Sequence, residues 1–251
     1  MPLLALLMLL LLVTSCASAP MTGPVPASSP SSSPSPSRPS PTPGKHLARR
    51  PPAREVWVPY AASGRYTVVP GGAPARPGSG EVVRYLVEVE AGLPFEPAAF
   101  AADVHRVLND VRGWARFERV DHGPVQVRVA LSSPLLTTLQ CRPLRTGGEL
   151  SCWNGARSVI NALRWAKGVP QYRGDLAAYR AYLISHEVGH SLGHGHEPCP
   201  GPGRLAPVMT QQSKSLDRCR PNPWPHPDRG REPGCGDTPL DDGRGCREAR
   251  G

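Results

Sequence analysis

The segment 186–196, which reads HEVGHSLGHGH, constrains the fold of this chain more than any other. On an α-helix, His186 and His190 lie one turn apart on the same face, so both imidazoles can reach one metal ion. If the helix continued, His196 would lie about 15 Å along the axis from His186, too far to share that ion. Gly193 permits a reversal, because glycine adopts positive φ at little cost. The segment therefore predicts a helix that ends near Gly193 and a turn that brings His196 back.

The residue types in this segment predict a zinc site. Three imidazoles suit Zn²⁺ and leave a fourth tetrahedral position open, as in catalytic zinc sites. Zinc makes water acidic enough to act as a nucleophile near neutral pH, and Glu187 can accept the proton and deliver it to a leaving amine. We therefore predict Zn²⁺ as the cofactor, His186, His190 and His196 as its ligands, and Glu187 as the catalytic residue. His194, in the same turn, is an alternative third ligand.

The residues before the motif predict the helix that carries it. Asp175 can cap the first turn. Five apolar residues recur at helical spacing on the side opposite the histidines: Ala177, Ala181, Ile184, Val188 and Leu192. The sequence thus predicts a helix from Asp175 to about Leu192, with one face on a sheet and the other facing a cleft.

The segments between residues 55 and 165 predict an α+β fold with a twisted mixed sheet. Residues 98–111 have the periodicity of a helix, and residues 141–152, with a Gly-Gly pair, look like a hairpin. Residues 157–165 leave a strand and a helix open. The strand candidates are 55–60, 66–70, 82–90, 117–120 and 125–131.

The N-terminus predicts export. Leu3 to Val13 form an apolar run that is too short to span a bilayer and typical of a signal-peptide core. The run ends in Val13-Thr14-Ser15-Cys16, which resembles the lipobox of bacterial lipoproteins and implies acylation of Cys16. Ordinary cleavage after Ala19 is the alternative. We predict a signal peptide with lipobox at 1–19 and a protein on the outer face of the cell membrane as a lipoprotein, or secreted.

The remaining chain divides by composition. Residues 17–53 are rich in Pro and Ser and predict a disordered stalk, 54–225 the zinc domain, and 226–251 an irregular C-terminal tail. The net charge of +9 comes from residues spread along the chain, with no dense basic block, so nucleic acid is not an expected partner. We expect a monomer that contacts the membrane through its lipid anchor.

Apart from Cys16, the cysteines of the chain form an even set, as expected in an oxidising compartment. A structural zinc site made by these thiols is the alternative, but the chain has no CxxC pair. Proximity in sequence favours three disulfides, which join Cys141 to Cys152, Cys199 to Cys219, and Cys235 to Cys246.

The motif resembles that of the metzincin clan of zinc endopeptidases, and Met209 in PVMT resembles the Met-turn of that clan, which lies beneath the three histidines. The resemblance implies a zincin-type fold: a twisted sheet, an active-site helix, a cleft between two subdomains, and here a small, irregular, disulfide-bonded C-terminal part. Gln211 stands where some metzincins have a tyrosine close to the metal.

A closer resemblance is to the actinobacterial family called domain of unknown function 3152, over about residues 55 to 225. It is carried by GGELSCWNG at 147–155, HEVGHSLGHGHEPCPGPG at 186–203, PVMTQQSK at 207–214 and CRPNPWP at 219–225. That resemblance implies a secreted or surface-bound protein of metallopeptidase type.

These observations favour a membrane-anchored zinc metalloendopeptidase that acts on proteins or peptides outside the membrane. A zinc-stabilised, non-catalytic binding module of the cell envelope is one alternative. A zinc amidase that acts on cell-wall peptides is another, since it would use the same residues.

Overall fold

The computed structural model describes residues 56–230, all of which belong to one compact unit. The predicted signal peptide, the lipidation site Cys16, the stalk, the Cys235–Cys246 pair and most of the predicted tail lie outside these residues. Within the described range, we find no helix of the length and hydrophobicity needed to cross a membrane.

A six-stranded sheet forms the centre of the fold, with strand order β1-β2-β4-β6-β5 and β3 paired with β2 outside this path. β2 pairs in parallel with β3 and β4, and β4 with β6, whereas β1 and β5 join the two edges antiparallel. The sheet is therefore mixed, as predicted. The strands are β1 Tyr66–Val68, β2 Val82–Glu90, β3 Arg116–Arg119, β4 Val127–Ser132, β5 Cys152–Trp153 and β6 Ser158–Asn161.

Four α-helices and one short 3₁₀ helix, Pro170–Tyr172, complete the described fold. The first and last helices pack on each other, and the last also contacts β4, β5 and β6. The α-helices are α1 Pro97–Leu108, α2 Pro134–Gln140, α3 Ala162–Lys167 and α4 Leu176–Ser191. The coarse prediction of an α+β fold is confirmed.

Most of the predicted elements are confirmed, and residues 157–165 contain both of the structures left open. Val159 and Ile160 are fully buried within β6. The side chain of Asn161 then accepts a hydrogen bond from the backbone N–H of Leu163 at 2.9 Å, which caps α3. One residue thus ends the strand and begins the helix.

The strand predicted at 55–60 is wrong, because residues 56–60 pair with no strand. Pro59 has no N–H to donate to a ladder, and the carbonyl of Tyr60 instead accepts a hydrogen bond from Leu135 at 2.8 Å. Trp57 is left 77% exposed. This part of the chain runs across the fold as an irregular segment.

The hairpin expected at 141–152 is also wrong, and α2 immediately before it was not predicted. Gly147 and Gly148 both have positive φ, as in a tight turn. The turn is closed locally, because the carbonyl of Thr146 accepts hydrogen bonds from the N–H groups of Glu149 and Leu150 at 3.1 Å. The glycine pair therefore makes a compact loop instead of joining two strands.

α4 is buried on more than the one face that the sequence predicted. Ala177, at the start of the predicted apolar stripe, is exposed, whereas every residue from Ala181 to Gly189 is buried. The second face is covered by a segment that follows the histidine motif: the hydroxyl of Tyr182 donates to the carbonyl of Thr210 at 3.1 Å. A local periodicity cannot reveal that a distant loop returns to cover the polar face.

Candidate metal centre

Both ends of α4 are defined by side-chain and backbone hydrogen bonds. At the first turn, Oδ1 of Asp175 accepts from the N–H of Ala178 at 2.9 Å, the predicted cap. At the last, the N–H of Gly193 donates to His190 and the N–H of His194 donates to Gly189, each at 3.0 Å. This pair of bonds is a Schellman cap, which requires a left-handed residue; Gly193 has φ of 92°. The reversal predicted at Gly193 is confirmed.

The reversal brings three histidines together. One ring nitrogen from each of His186, His190 and His196 lies within 4.8 Å of the other two, and the Nε2 atoms of His190 and His196 are 3.1 Å apart. Two ligands of a tetrahedral zinc ion, each at 2.0–2.1 Å, are separated by about 3.4 Å. The three side chains can therefore hold a metal ion between them.

Two of the imidazoles are oriented by backbone carbonyls. Nδ1 of His186 lies 2.9 Å from the carbonyl oxygen of Val208, and Nδ1 of His190 lies 2.8 Å from that of His194. A carbonyl can only accept, so each Nδ1 carries the proton and each Nε2 presents a lone pair. Such outer hydrogen bonds fix the ring and increase its basicity as a ligand.

Burial favours the neutral form of two of the imidazoles. It lowers the pKa of His186 to about 3; the bond to Val208 raises this pKa, and the nearby charges of His190, His196 and Lys214 lower it. Burial likewise lowers the pKa of His196. A neutral ring is the form that binds a metal.

Glu187 is a buried carboxylic acid at the same site. Its residue is 5% exposed, and burial raises the pKa of its carboxyl group to about 8. Its backbone is fixed by Ser158, whose hydroxyl donates to the Glu187 carbonyl at 2.9 Å. A carboxyl group with a pKa near neutrality can both accept and return a proton during a reaction.

Met209 packs against the backbone of α4 next to His190. The N–H of Thr210 donates to the carbonyl of Pro207 at 3.0 Å, which closes a turn with Met209 at its centre, and Met209 is fully buried. A Cβ atom built on Gly189, which directly precedes His190, would lie only 2.5 Å from the Met209 sulfur. The methionine thus contacts the helix backbone at the turn that carries the ligands.

Two disulfides border the site. Cys141 is bonded to Cys152, and Cys199 to Cys219, as the sequence predicted. The first closes the loop that precedes β5, and the second encloses the segment that contains Met209. Both bridges therefore hold segments that lie next to the histidines.

A cavity of about 290 Å³ opens above the three histidines and Glu187. Gln211, which the sequence placed in the position of a tyrosine close to the metal, lines this cavity, as does Tyr182. The ring of Tyr182 lies 5.2 Å from that of His186.

His194, the alternative third ligand, does not join the cluster. Its ring stacks on Trp114 at a centroid distance of 4.0 Å, and the indole N–H of Trp114 donates to the carbonyl of Ser185 at 2.8 Å. The tryptophan anchors His194 against the side of α4, away from the other three histidines.

Sequence reasoning did not identify several residues of the site. The carbonyl of Val208 and the hydroxyl of Tyr182 contact the ligands or their support through tertiary structure alone, and no local pattern marks them. Arg145 and Lys214 line the cavity, but nothing distinguishes them in the sequence from other basic residues of a basic chain.

No curated protein and no solved structure is significantly similar to the chain. A sequence model of one family, described as protein of unknown function DUF3152, matches residues 54–219. The match covers more than half of the 251 residues and includes the whole cluster of histidines. The chain therefore belongs to the DUF3152 family.

Proposed function

We propose that this protein is a zinc-dependent, metzincin-like metallopeptidase that hydrolyses peptide bonds. The observation that carries the proposal is the convergence of three imidazole nitrogens beside a buried carboxyl group in one cavity. Zn²⁺ held by His186, His190 and His196 would supply Lewis acidity to a substrate carbonyl and to water. A closed structural site has no need of a carboxylic acid beside its ligands.

Glu187 takes the role of general base and then general acid. It accepts a proton from the attacking water and delivers it to the departing amine. Glu187 is the only carboxylic acid among the described residues that line the cavity, so we assign the proton transfer to it. Burial favours its protonated form between the two steps.

The other residues of the site orient the ligands. The carbonyls of Val208 and His194 hold two rings in the tautomer that exposes Nε2. Met209, packed on Gly189, takes the part of the Met-turn: it supports the helix backbone between the two ligands. These contacts reduce the reorganisation that the site needs when it binds the metal.

The proposed place of action is outside the cell membrane, on protein or peptide substrates. The two disulfides next to the site support this, because such bonds persist in oxidising compartments. Export through the N-terminal signal and anchorage through Cys16 complete the proposal.

The decisive experiment compares metal content with hydrolysis in matched variants. The exported protein should hold about one zinc and cleave a fluorogenic peptide library. Glu187→Gln should keep the zinc and lose at least about 100-fold in kcat/KM, whereas His190→Ala should lose the metal. Glu96→Gln, a change at an exposed carboxylate outside the cavity, is the control and should behave as wild type.

Each other outcome points to a different function. Full activity in Glu187→Gln would refute the assigned base. Zinc bound by a wild-type protein that cleaves no peptide would favour the non-catalytic envelope module. New amino termini released from purified cell-wall material, with no cleavage of proteins, would favour the amidase.

A further inference from the structure

The cavity above the histidines has a marked charge asymmetry. Besides the histidines, its ionisable residues are Glu187, Tyr182, Arg145 and Lys214. Glu187 is buried at the bottom, and Tyr182 is buried and donates its hydroxyl proton to a carbonyl. Arg145 and Lys214 are exposed. Two unit positive charges thus face a substrate that enters, in addition to the charge of any bound metal.

Neither cation forms an ion pair with an acidic side chain of residues 56–230. Among the described residues, no carboxylate forms an ion pair with Arg145 or Lys214, although seven other arginines have such partners: Arg84, Arg106, Arg112, Arg128, Arg157, Arg164 and Arg180. The side chains of Arg145 and Lys214 are therefore available to a ligand that enters the cavity.

Lys214 is held in position by its backbone. Its N–H donates to the carbonyl of Gln211 at 2.8 Å, and its carbonyl accepts from the side chain of Gln171 at 3.1 Å. Its side chain lines the same cavity as His186 and His196.

Arg145 lies in a different segment of the chain, the loop closed by the Cys141–Cys152 disulfide. The next residue, Thr146, is buried; its hydroxyl lies 3.2 Å from that of Thr138, and its carbonyl accepts from Glu149 and Leu150. The base of this loop is thus fixed, and the arginine side chain extends from a defined position.

Apolar side chains line the cavity together with the two cations. Leu144 is 58% and Trp153 40% exposed, and both line it together with Leu150. Apolar side chains that line one cavity together with a few polar groups are typical of ligand-binding sites. The lining therefore combines apolar contact area with positive charge.

We propose that this cavity selects peptide substrates that present a carboxylate, held by Lys214 and Arg145 while the flanking residues pack on the apolar rim. The inference rests on the proposed function, because it concerns the substrate of the same site. A carboxylate is the ligand that pairs with guanidinium and ammonium groups through charge-assisted hydrogen bonds. A basic substrate side chain, in contrast, would meet two like charges and the metal.

Binding, measured without turnover, tests the inference separately from catalysis. Zinc-loaded Glu187→Gln protein is titrated against fluorescent peptides of one length that differ only at the central residue, which is Glu, Gln or Lys. Each peptide is made with a free and with an amidated C-terminus. The binding affinity is read by fluorescence anisotropy, so the result does not require that the protein hydrolyse anything.

We expect the Glu peptide to bind about tenfold more tightly than the Gln peptide, the typical effect of one hydrogen-bonded charge pair, and the Lys peptide to bind least. Lys214→Gln and Arg145→Gln should each reduce the preference for Glu over Gln about threefold, and together remove it. Lys214→Arg should retain it, and Arg65→Gln, which removes an exposed charge outside the cavity, should leave it unchanged. Higher salt should weaken the preference.

Two results would overturn the inference: equal affinity for the Glu and Gln peptides with no effect of C-terminal amidation, or a preference that survives the loss of both cations with the zinc still bound. The second would assign carboxylate recognition to the metal alone. Discrimination only between free and amidated termini would support carboxylate recognition and place it at a chain end. Failure of catalysis in the wild type, with the binding preference intact, would refute the proposed function and leave this inference standing.

Discussion

Gly189→Ala tests whether the packing of Met209 on α4 supports the metal site. Within a helix, this substitution ordinarily stabilises a protein by about 1 kcal/mol, because alanine has the higher helix propensity. Here the added Cβ would lie 2.5 Å from the Met209 sulfur and 3.0 Å from Cζ2 of Trp114. Both neighbours would have to move from a helix that is buried at this position.

The expected magnitude follows from the two opposing effects. Insertion of a methyl group into a packed core typically costs about 1–3 kcal/mol. Subtracting the propensity gain leaves a net loss of about 1 kcal/mol, which lowers the Tm by about 2–4 °C. Because the turn that carries Met209 also carries the carbonyl that orients His186, zinc affinity should fall about tenfold, the range seen when such outer contacts are disturbed.

The assay combines thermal unfolding of the metal-free protein with zinc affinity measured by competition with a chelator. Met209→Ala provides the matched background. With the sulfur removed, Gly189→Ala should cost less than it does in the wild type, with a coupling energy of about 0.5–3 kcal/mol in the double-mutant cycle. Ala177→Gly, at an exposed position of the same helix, should cost about 0.5–1 kcal/mol and leave zinc affinity unchanged.

A Gly189→Ala protein that is more stable than the wild type and binds zinc as tightly would refute this reasoning. It would mean that Met209 moves aside at no cost and that its contact with the helix does not support the ligands. Additivity of the two substitutions would lead to the same conclusion.

Three further predictions concern the same helix and turn. His196→Ala should abolish zinc binding measured by elemental analysis, whereas His194→Ala should keep it and cost only the ring stacking, about 0.5–1.5 kcal/mol in urea unfolding; equal zinc loss in both would overturn the ligand assignment. Asp175→Ala should cost about 1 kcal/mol through the lost cap, with zinc content unchanged, and a loss of zinc in this variant would show that the site depends on the first turn. Reduction of Cys199–Cys219 should speed zinc release to a chelator, and zinc retained equally well in strong reductant would contradict the role given to that bridge.

The part of the site that the sequence predicts is the part that local geometry determines. Helical spacing brings His186 and His190 to one face, and Gly193 supplies the only conformation that returns His196 to them. The strand β2 is predictable in the same way, from an uninterrupted run of β-forming residues. In each of these cases the structure depends on neighbours within a few positions, so no knowledge of the remaining fold is needed.

The remaining features of the site depend on contacts between distant segments. Val208 orients His186, which lies 22 residues earlier. Trp114 contacts His194 across a separation of 80 residues. The sequence predicts His196 as the third ligand and keeps His194 as the alternative, and the contact with Trp114 shows where His194 lies instead. Arg145 and Lys214 became notable only when the folded chain placed both on one cavity.

All three metal ligands come from one continuous stretch of eleven residues, 186–196. The loop between the last two ligands is short, so little chain entropy opposes their convergence. We therefore expect the unfolded chain to retain some affinity for zinc, and an ion that binds the unfolded state raises the unfolding free energy less than its affinity for the native state suggests. If the protein is exported as proposed, a chain that crosses the membrane before it folds would thus already contain the residues that bind its ion.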